Sequence, residues 1–187
     1  IDDRHRQWLA RLLMTRRLVV VPTANALGYY QKVREENRID PNRDFPYDIT
    51  SPQDCMQTIA GRTLNEVFRL HIFQLSLTFH GGMEVIGYEW GAPHWLGKKS
   101  PDDTAQSQVA QAYSQYAGGW SSTKPYDYGP YVIVCVTDRH SHFYRMNDLV
   151  YPVHGGMEDW AYAASWDPER VTPCRPMTYG GYDPKKT

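Results

Sequence analysis

Three short apolar runs, separated by stretches with helical periodicity, most constrain how this chain can fold. The runs are RLVVVPTA at 17–24, IFQLSLTF at 72–79 and PYVIVCVT at 130–137. Each is short and rich in β-branched residues, which is typical of a buried strand. Strands that alternate with helices predict an α/β protein, a three-layer α/β/α arrangement around a mixed, largely parallel sheet.

Three other segments have the pattern or the end signals of helices. Residues 5–14 place apolar side chains on one face, and residues 58–71 have a similar periodicity. A third helix is predicted to follow Ser100, a suitable N-cap, and to end at Gly118 and Gly119. The order of the predicted elements therefore alternates between helix and strand.

Composition narrows the classes of partner. The 187 residues suffice for one domain with a sizeable core. The 20 basic and 21 acidic side chains give a formal net charge of -1, which favours neither nucleic acid nor a membrane surface as a partner. The longest apolar run, 18–22, is too short to span a bilayer. Because the chain begins at Ile1, we expect a processed chain or a fragment.

The cysteines do not indicate a metal site. The chain has three, Cys55, Cys135 and Cys174, and no two of them form a CxxC pair. A cysteine-based zinc site is therefore not expected. One disulfide could form, and the sequence does not determine which pair would form it.

The triplet His-Gly-Gly occurs twice, at 80–82 and at 154–156. The first follows the predicted strand 72–79, and ligands of parallel sheets bind beyond the carboxyl ends of the strands. The glycines would allow a ligand to approach the backbone closely. By itself, the pattern fits both a metal ligand at His80 and a histidine that merely ends a strand.

Four stretches in this order resemble the zinc carboxypeptidase family, the carboxypeptidase A and B enzymes and especially the N and E branch. They are VVVPTANALGYY (19–30), VREENRIDPNRDFP (33–46), SLTFHGGMEVIGYEW (76–90) and LVYPVHGGMEDWAY (149–162). Their order and approximate spacing also match, and the resemblance covers essentially the whole chain. It implies that 1–187 form a single domain that is part of a longer catalytic domain.

The resemblance assigns roles to five residues of the second and third stretches. Asn42 and Arg43 would hold the carboxylate of the substrate's C-terminus, a task suited to a guanidinium fork. Arg34 would stabilise the oxyanion of the tetrahedral intermediate. His80 would be a zinc ligand. Asp40 would orient a zinc-bound histidine, or would instead only form a turn with the residues that follow it.

The fourth stretch supplies further site residues. Tyr151 matches the tyrosine that closes over the bound C-terminal residue. His154 falls where the family has no zinc ligand, and we expect it to be a loop residue. Glu158 takes a position that points into the specificity pocket, where an acid would select Lys or Arg, or it pairs internally instead. Asp159 and Trp160 are expected to be structural.

Two zinc ligands and the general base are missing from the motifs found. The family holds zinc with His, Glu and His, the set for which carboxypeptidase A is a standard example. None of the seven histidines has Glu three residues later, so we expect that motif before Ile1. The catalytic glutamate is expected after Thr187, since DPERVTPC around Glu169 does not have the pattern of a strand.

The resemblance thus implies a zinc-dependent carboxypeptidase that hydrolyses the C-terminal peptide bond of peptides. It implies zinc as cofactor and peptide or protein C-termini as partners, with an inhibitor or a pro-segment as a further partner. The implied location is extracellular, secretory or vacuolar. The alternative is a non-catalytic module that binds peptide C-termini and has lost the metal site.

Overall fold

Helices make up most of the regular structure in the described part of the chain. The computed structural model describes residues 2–49, 56–81, 86–116, 143–145 and 151–163, with only the backbone described at 143–145. The helices are α1 (Asp3–Thr15), α2 (Ala26–Gln31), α3 (Ile59–Leu70), α4 (Asp103–Tyr116) and α5 (Met157–Ala163), with 3₁₀ turns at Pro41–Arg43 and Pro93–Trp95. None of the described helices is long and apolar enough to cross a membrane.

Local capping explains where three helices begin. The side chains of Asp2, Asn25 and Thr58 accept hydrogen bonds from the backbone N–H three residues later, each at 2.9 Å. Such caps satisfy amide donors that have no partner inside the helix. The helices predicted at 5–14 and 58–71 are confirmed as α1 and α3.

The start of α4 differs from the prediction. The helix begins at Asp103, and the Ser100 hydroxyl donates to Gln106 Oε1 at 2.7 Å. Ser100 thus supports the first turns with its side chain and also with its backbone carbonyl, which accepts from the Asp103 N–H at 3.2 Å. The predicted end at Gly118 and Gly119 lies outside the described residues.

One parallel strand pair is present in the described residues. Strand β1 (Ile86–Tyr88) pairs with β2 (Phe143–Arg145), with Ile86 opposite Phe143 and Tyr88 opposite Arg145. Helices with a parallel pair agree with the α/β class. The three-layer arrangement and its mixed, largely parallel sheet stay predictions.

The structure contradicts two of the predicted strands. Residues 17–24 and 72–79 form no ladder with any residue that the structure describes, and their apolar side chains are largely exposed, with Val20 at 77% and Phe79 at 67%. An apolar, β-branched run predicts burial, but a strand exists only through hydrogen bonds to a neighbour that the run itself does not specify. The third predicted strand, 130–137, lies outside the described residues.

An aromatic core holds the segments that carry the site. Phe45 contacts Trp160 with ring centroids 4.9 Å apart, and Phe68 of α3 contacts Trp160 at 5.2 Å. Trp90 stacks on Trp95 at 4.8 Å and lies parallel to Tyr47. These contacts pack the loop after residue 43 between α3 and α5.

The carboxylate of Asp159 fixes the start of α5. It accepts from the backbone N–H of Gly91 at 2.9 Å and from that of Ala92 at 2.5 Å. Burial and the neighbouring Glu158 carboxyl raise the pKa of Asp159, and the two amide donors oppose that rise. Trp160 is fully buried, so the structural roles predicted for Asp159 and Trp160 are confirmed.

Candidate functional site

Arg34, Asp40 and Asn42 form one hydrogen-bonded unit. Arg34 Nε donates to Asp40 Oδ2 at 2.6 Å, and the backbone N–H of Asn42 donates to Asp40 Oδ1 at 2.9 Å. The second contact forms the turn that the sequence suggested as the alternative role of Asp40. One carboxylate therefore orients both a guanidinium and the residue before Arg43.

His80 lies against Arg34. Arg34 Nη1 is 2.8 Å from His80 Nε2, and His80 Nδ1 contacts the carbonyl oxygen of Gly81. Because a guanidinium can only donate, Nε2 accepts, and Nδ1 carries the proton that is donated to Gly81. Burial, followed by the positive charge of Arg34, lowers the pKa of His80, which agrees with a neutral ring. In the described part of the chain, residues 72–79 form no strand, so His80 does not lie at a strand end there.

The described residues do not fit zinc as they are arranged. Within them, no group of three or more His, Cys, Asp or Glu side chains could hold a metal ion. The lone pair of His80 that would face a metal is occupied by Arg34. A fixed cation at hydrogen-bond distance also opposes a second cation there.

Arg43 and Tyr151 are brought together from positions 108 residues apart. Arg43 Nη2 donates to the Tyr151 hydroxyl at 3.0 Å, and Nη1 donates to the carbonyl of Asn42 at 2.5 Å. The Arg43 Cζ atom lies 5.7 Å from the centroid of the Tyr151 ring, which is 51% exposed. In the part of the chain that the structure describes, Arg43 forms no ion pair.

Asn42 connects this pair to Glu158. Asn42 Oδ1 accepts from the backbone N–H of Met157 at 2.8 Å, and Nδ2 makes a long hydrogen bond of 3.4 Å to Glu158 Oε2. Glu158 is buried, and its Oε1 has no hydrogen-bond partner among the described residues. Burial raises the pKa of Glu158, while the Asn42 hydrogen bond and the charge of Arg43 oppose the rise.

The two His-Gly-Gly triplets differ in how their glycines pack. Gly155 has φ of +64°, and a Cβ there would lie 2.4 Å from the carbonyl oxygen of Arg43. A Cβ on Gly156 would lie 2.4 Å from Glu158 Oε1, whereas one on Gly81 would meet no described atom within 4 Å. His154 Nδ1 lies 2.6 Å from the carbonyl oxygen of Asp48. The second triplet therefore lets α5 approach the Asn42–Arg43 loop.

Sequence reasoning missed two buried acids beside the site, Glu36 and Asp44. Both carboxylates accept hydrogen bonds from backbone amides at the start of α3. The partners of Glu36 lie 23 and 24 residues further along the chain, and those of Asp44 lie 13 and 14 residues further, so no local pattern marks either acid. Gly155 was noticed only as part of its triplet, and its contact with Arg43 is also long-range.

Comparison with known proteins gives a consistent result. The family model described as zinc carboxypeptidase matches residues 4–173. The chain is 29% identical over 168 residues to carboxypeptidase D of Anas platyrhynchos, covering 81% of this chain and 11% of that protein. It is 27% identical over 168 residues to carboxypeptidase SOL1 of Arabidopsis thaliana, covering 86% of this chain and 31% of that protein.

Human carboxypeptidase D is 29% identical over 169 residues, which are 81% of this chain and 11% of the human protein. The chain thus spans between a tenth and a third of the length of these relatives. The family match extends over nearly all of this chain and includes all four motif stretches, three of which contribute residues to the site. The chain belongs to the zinc carboxypeptidase family.

Proposed function

We propose that the chain provides the surface of a zinc-dependent carboxypeptidase that binds the C-terminus of a peptide substrate. Arg43 carries this proposal, because its guanidinium has a phenol and an amide beside it and no ion pair within the described residues. A planar guanidinium is suited to bidentate pairing with a carboxylate. The peptide bond next to that carboxylate would be the one hydrolysed.

Asn42 and Tyr151 complete the proposed carboxylate site. The Asn42 side chain is held at both ends, by Met157 and by Glu158, so it would present a fixed edge to the ligand. The Tyr151 hydroxyl accepts from Arg43 in this structure. When a substrate carboxylate accepts from Arg43 in place of the phenol, Tyr151 would be free to swing across the bound C-terminal residue. The half-exposed ring has room for that movement.

Arg34 would supply positive charge on the other side of Asp40. Its salt bridge to Asp40, with 2.6 Å between Arg34 Nε and Asp40 Oδ2, fixes the guanidinium. A preorganised cation of this kind suits a developing oxyanion, because no reorganisation is needed during the reaction. For His80 to be a zinc ligand, Arg34 would first have to leave Nε2.

The contact between Arg34 and His80 also favours the second candidate, a module that binds peptide C-termini without a metal. Because the sequence predicts the other zinc ligands outside this chain, equilibrium dialysis of the full-length protein with zinc, compared with its His80→Ala variant, separates the two. Zinc retention that depends on His80 supports the ligand role. Identical retention by both chains favours the metal-free module.

We place Glu158 at the specificity pocket, with a preference for C-terminal Arg or Lys. The support is its buried carboxyl next to Asn42, with one oxygen that has no hydrogen-bond partner among the described residues. A basic side chain would pair with that oxygen, whereas Leu would leave it unpaired. Glu158→Gln should therefore reduce the preference for peptides ending in Arg over peptides ending in Leu.

Calorimetric titration of the chain tests the carboxylate site. A peptide ending in Arg should bind more tightly as the free acid than as the C-terminal amide, and Arg43→Ala should remove the difference. Arg11→Ala, on exposed α1, is the matched control and should retain it. Equal affinity of the native chain for acid and amide would reject the proposal.

The other parts of the proposal rest on the family resemblance. The partners would be peptide or protein C-termini, together with an inhibitor or a pro-segment. The location would be extracellular, secretory or vacuolar. Tracking a tagged full-length protein in its own cells would test the location, and a cytosolic signal would contradict it.

A further inference from the structure

The loop at 34–44 carries most of the proposed substrate contacts, and two buried carboxylates attach it to one helix end. Within this loop, Arg34, Asp40, Asn42 and Arg43 face the site, while Glu36 and Asp44 face α3. Neither of these two acids contacts His80 or Tyr151 through any hydrogen bond in the described residues. Their chemistry is therefore not used by the proposed reaction itself.

Glu36 binds the first turn of α3 with both oxygens. Oε1 accepts from the N–H of Ile59 at 2.6 Å, and Oε2 accepts from the N–H of Ala60 at 3.0 Å. The backbone of Glu36 also exchanges two hydrogen bonds with Ile39, at 2.9 and 3.0 Å. The side chain is 3% exposed, so these contacts are made out of water and hold the first half of the loop.

Asp44 binds the residues just before the same turn. Its Oδ1 accepts from the N–H of Gln57 at 2.9 Å, and its Oδ2 accepts from the N–H and the hydroxyl of Thr58 at 2.8 and 2.7 Å. The carbonyl of Asp44 accepts from Met56 N. A Cβ on Gly61 would lie 3.0 Å from Asp44 Oδ2, so the carboxylate has little room to shift.

The helix end is a good anchor for both acids. Amides at a helix N-terminus lack partners inside the helix and carry partial positive charge, which favours carboxylates there. Helix α3 is itself fixed in the core through Phe68, which contacts Trp160 of α5. The loop is thus held on the same framework as Glu158.

We infer that Glu36 and Asp44 are positioning residues, which set the placement of Arg34 and Arg43 by tying both ends of their loop to the start of α3. The inference rests on the proposed carboxylate site. Replacing either acid by its amide turns an N–H₂ group toward a backbone N–H, so the loop must move. The guanidinium of Arg43 would then lose its alignment, although no group that touches the ligand has changed.

The test is the preference of the 187-residue chain for a free-acid peptide over its C-terminal amide, measured by calorimetry well below the unfolding temperatures. Glu36→Gln and Asp44→Asn should each reduce the preference by about tenfold or more, because each amide keeps one oxygen and leaves at least one backbone N–H without its acceptor. Ala110→Gly, at a buried position in α4, lowers stability without touching the loop and should leave the preference unchanged.

The outcomes separate this inference from the proposed function. If the native chain prefers the free acid and both variants keep that preference, the positioning role is wrong while the carboxylate site stands. If the native chain shows no preference, the proposed site fails and the inference fails with it. If Asp44→Asn does not fold, Glu36→Gln alone tests the positioning role, because Glu36 anchors the other end of the loop.

Discussion

Gly155→Ala and Gly81→Ala change the same position of two identical triplets, and the structure predicts opposite results. Gly155 has a positive φ, and its Cα faces the backbone of Arg43. Among the described residues, no atom lies within 4 Å of a Cβ built on Gly81, and the φ of Gly81 is not in the left-handed range. Each variant therefore serves as the control for the other.

The cost at Gly155 has two parts. A side chain in the left-handed region costs about 1–2 kcal/mol. The new Cβ would also lie 2.4 Å from the Arg43 oxygen and 2.8 Å from its carbonyl carbon, so backbone must shift rather than a flexible side chain. That shift would weaken two backbone hydrogen bonds of 3.1 Å, one from Phe45 N to Gly155 O and one from Gly155 N to Tyr47 O. Each should cost about 1 kcal/mol.

Together these terms give a loss of about 3–4 kcal/mol in the free energy of unfolding for Gly155→Ala. Gly81→Ala should change it by about 0 to 1 kcal/mol in the stabilising direction, because alanine restricts the unfolded chain. Urea titration followed by tryptophan fluorescence measures both, since Trp90 and Trp160 are buried. If the free energy of unfolding falls by the same amount in the two variants, the packing argument for the second triplet is refuted.

Three further predictions concern single side chains. Burial raises the pKa of Glu89 well above its ordinary 4.5, so the folded chain holds that proton more tightly than the unfolded chain and becomes less stable as the pH rises above 4.5. Glu89→Gln should therefore gain stability relative to the native chain as the pH rises above about 5 in urea titrations, and a constant difference would contradict the assignment. Asp159→Ala should lower the free energy of unfolding by about 2–4 kcal/mol in the same urea titrations, because the amides of Gly91 and Ala92 lose their acceptor. A loss under about 1 kcal/mol would show that water takes the place of the carboxylate as acceptor. Tyr151→Phe should leave stability within about 0.5 kcal/mol but weaken binding of free-acid peptides severalfold in calorimetry, and unchanged binding would remove the phenol from the site.

The sequence predicts local features of this fold better than its long-range pairings. Helices α1 and α3 follow from side-chain periodicity and from caps that act over three residues. The strands expected at 17–24 and 72–79 depend on partners elsewhere in the chain, and the structure does not pair them. An apolar run specifies a tendency toward burial, while its neighbours decide whether it becomes a strand.

The candidate site shows the same limit. The motifs identify Arg34, Asn42, Arg43 and Tyr151 one by one, and the contact from Arg43 to Tyr151 joins residues 108 positions apart. No local pattern predicts that pairing, and only the resemblance to a family suggested it. The anchoring acids lie within the second stretch, but the resemblance assigns them no role, and each bonds to a helix end far along the chain.

The two triplets now have different physical explanations. In the second, Gly155 is required by contact, because it lies against the Arg43 backbone and so sets the distance between α5 and the loop, whereas Gly156 meets only the Glu158 side chain of α5 itself. In the first, Gly81 has open space around it, and the side-chain contact that fixes His80 is its hydrogen bond to Arg34. Asp40 accepts hydrogen bonds from both Arg34 and the backbone of Asn42. A ligand that draws Arg34 away from His80 would therefore also act on the loop that presents Arg43. His80 and the carboxylate site are therefore coupled through one carboxylate, whichever of the two proposed functions holds.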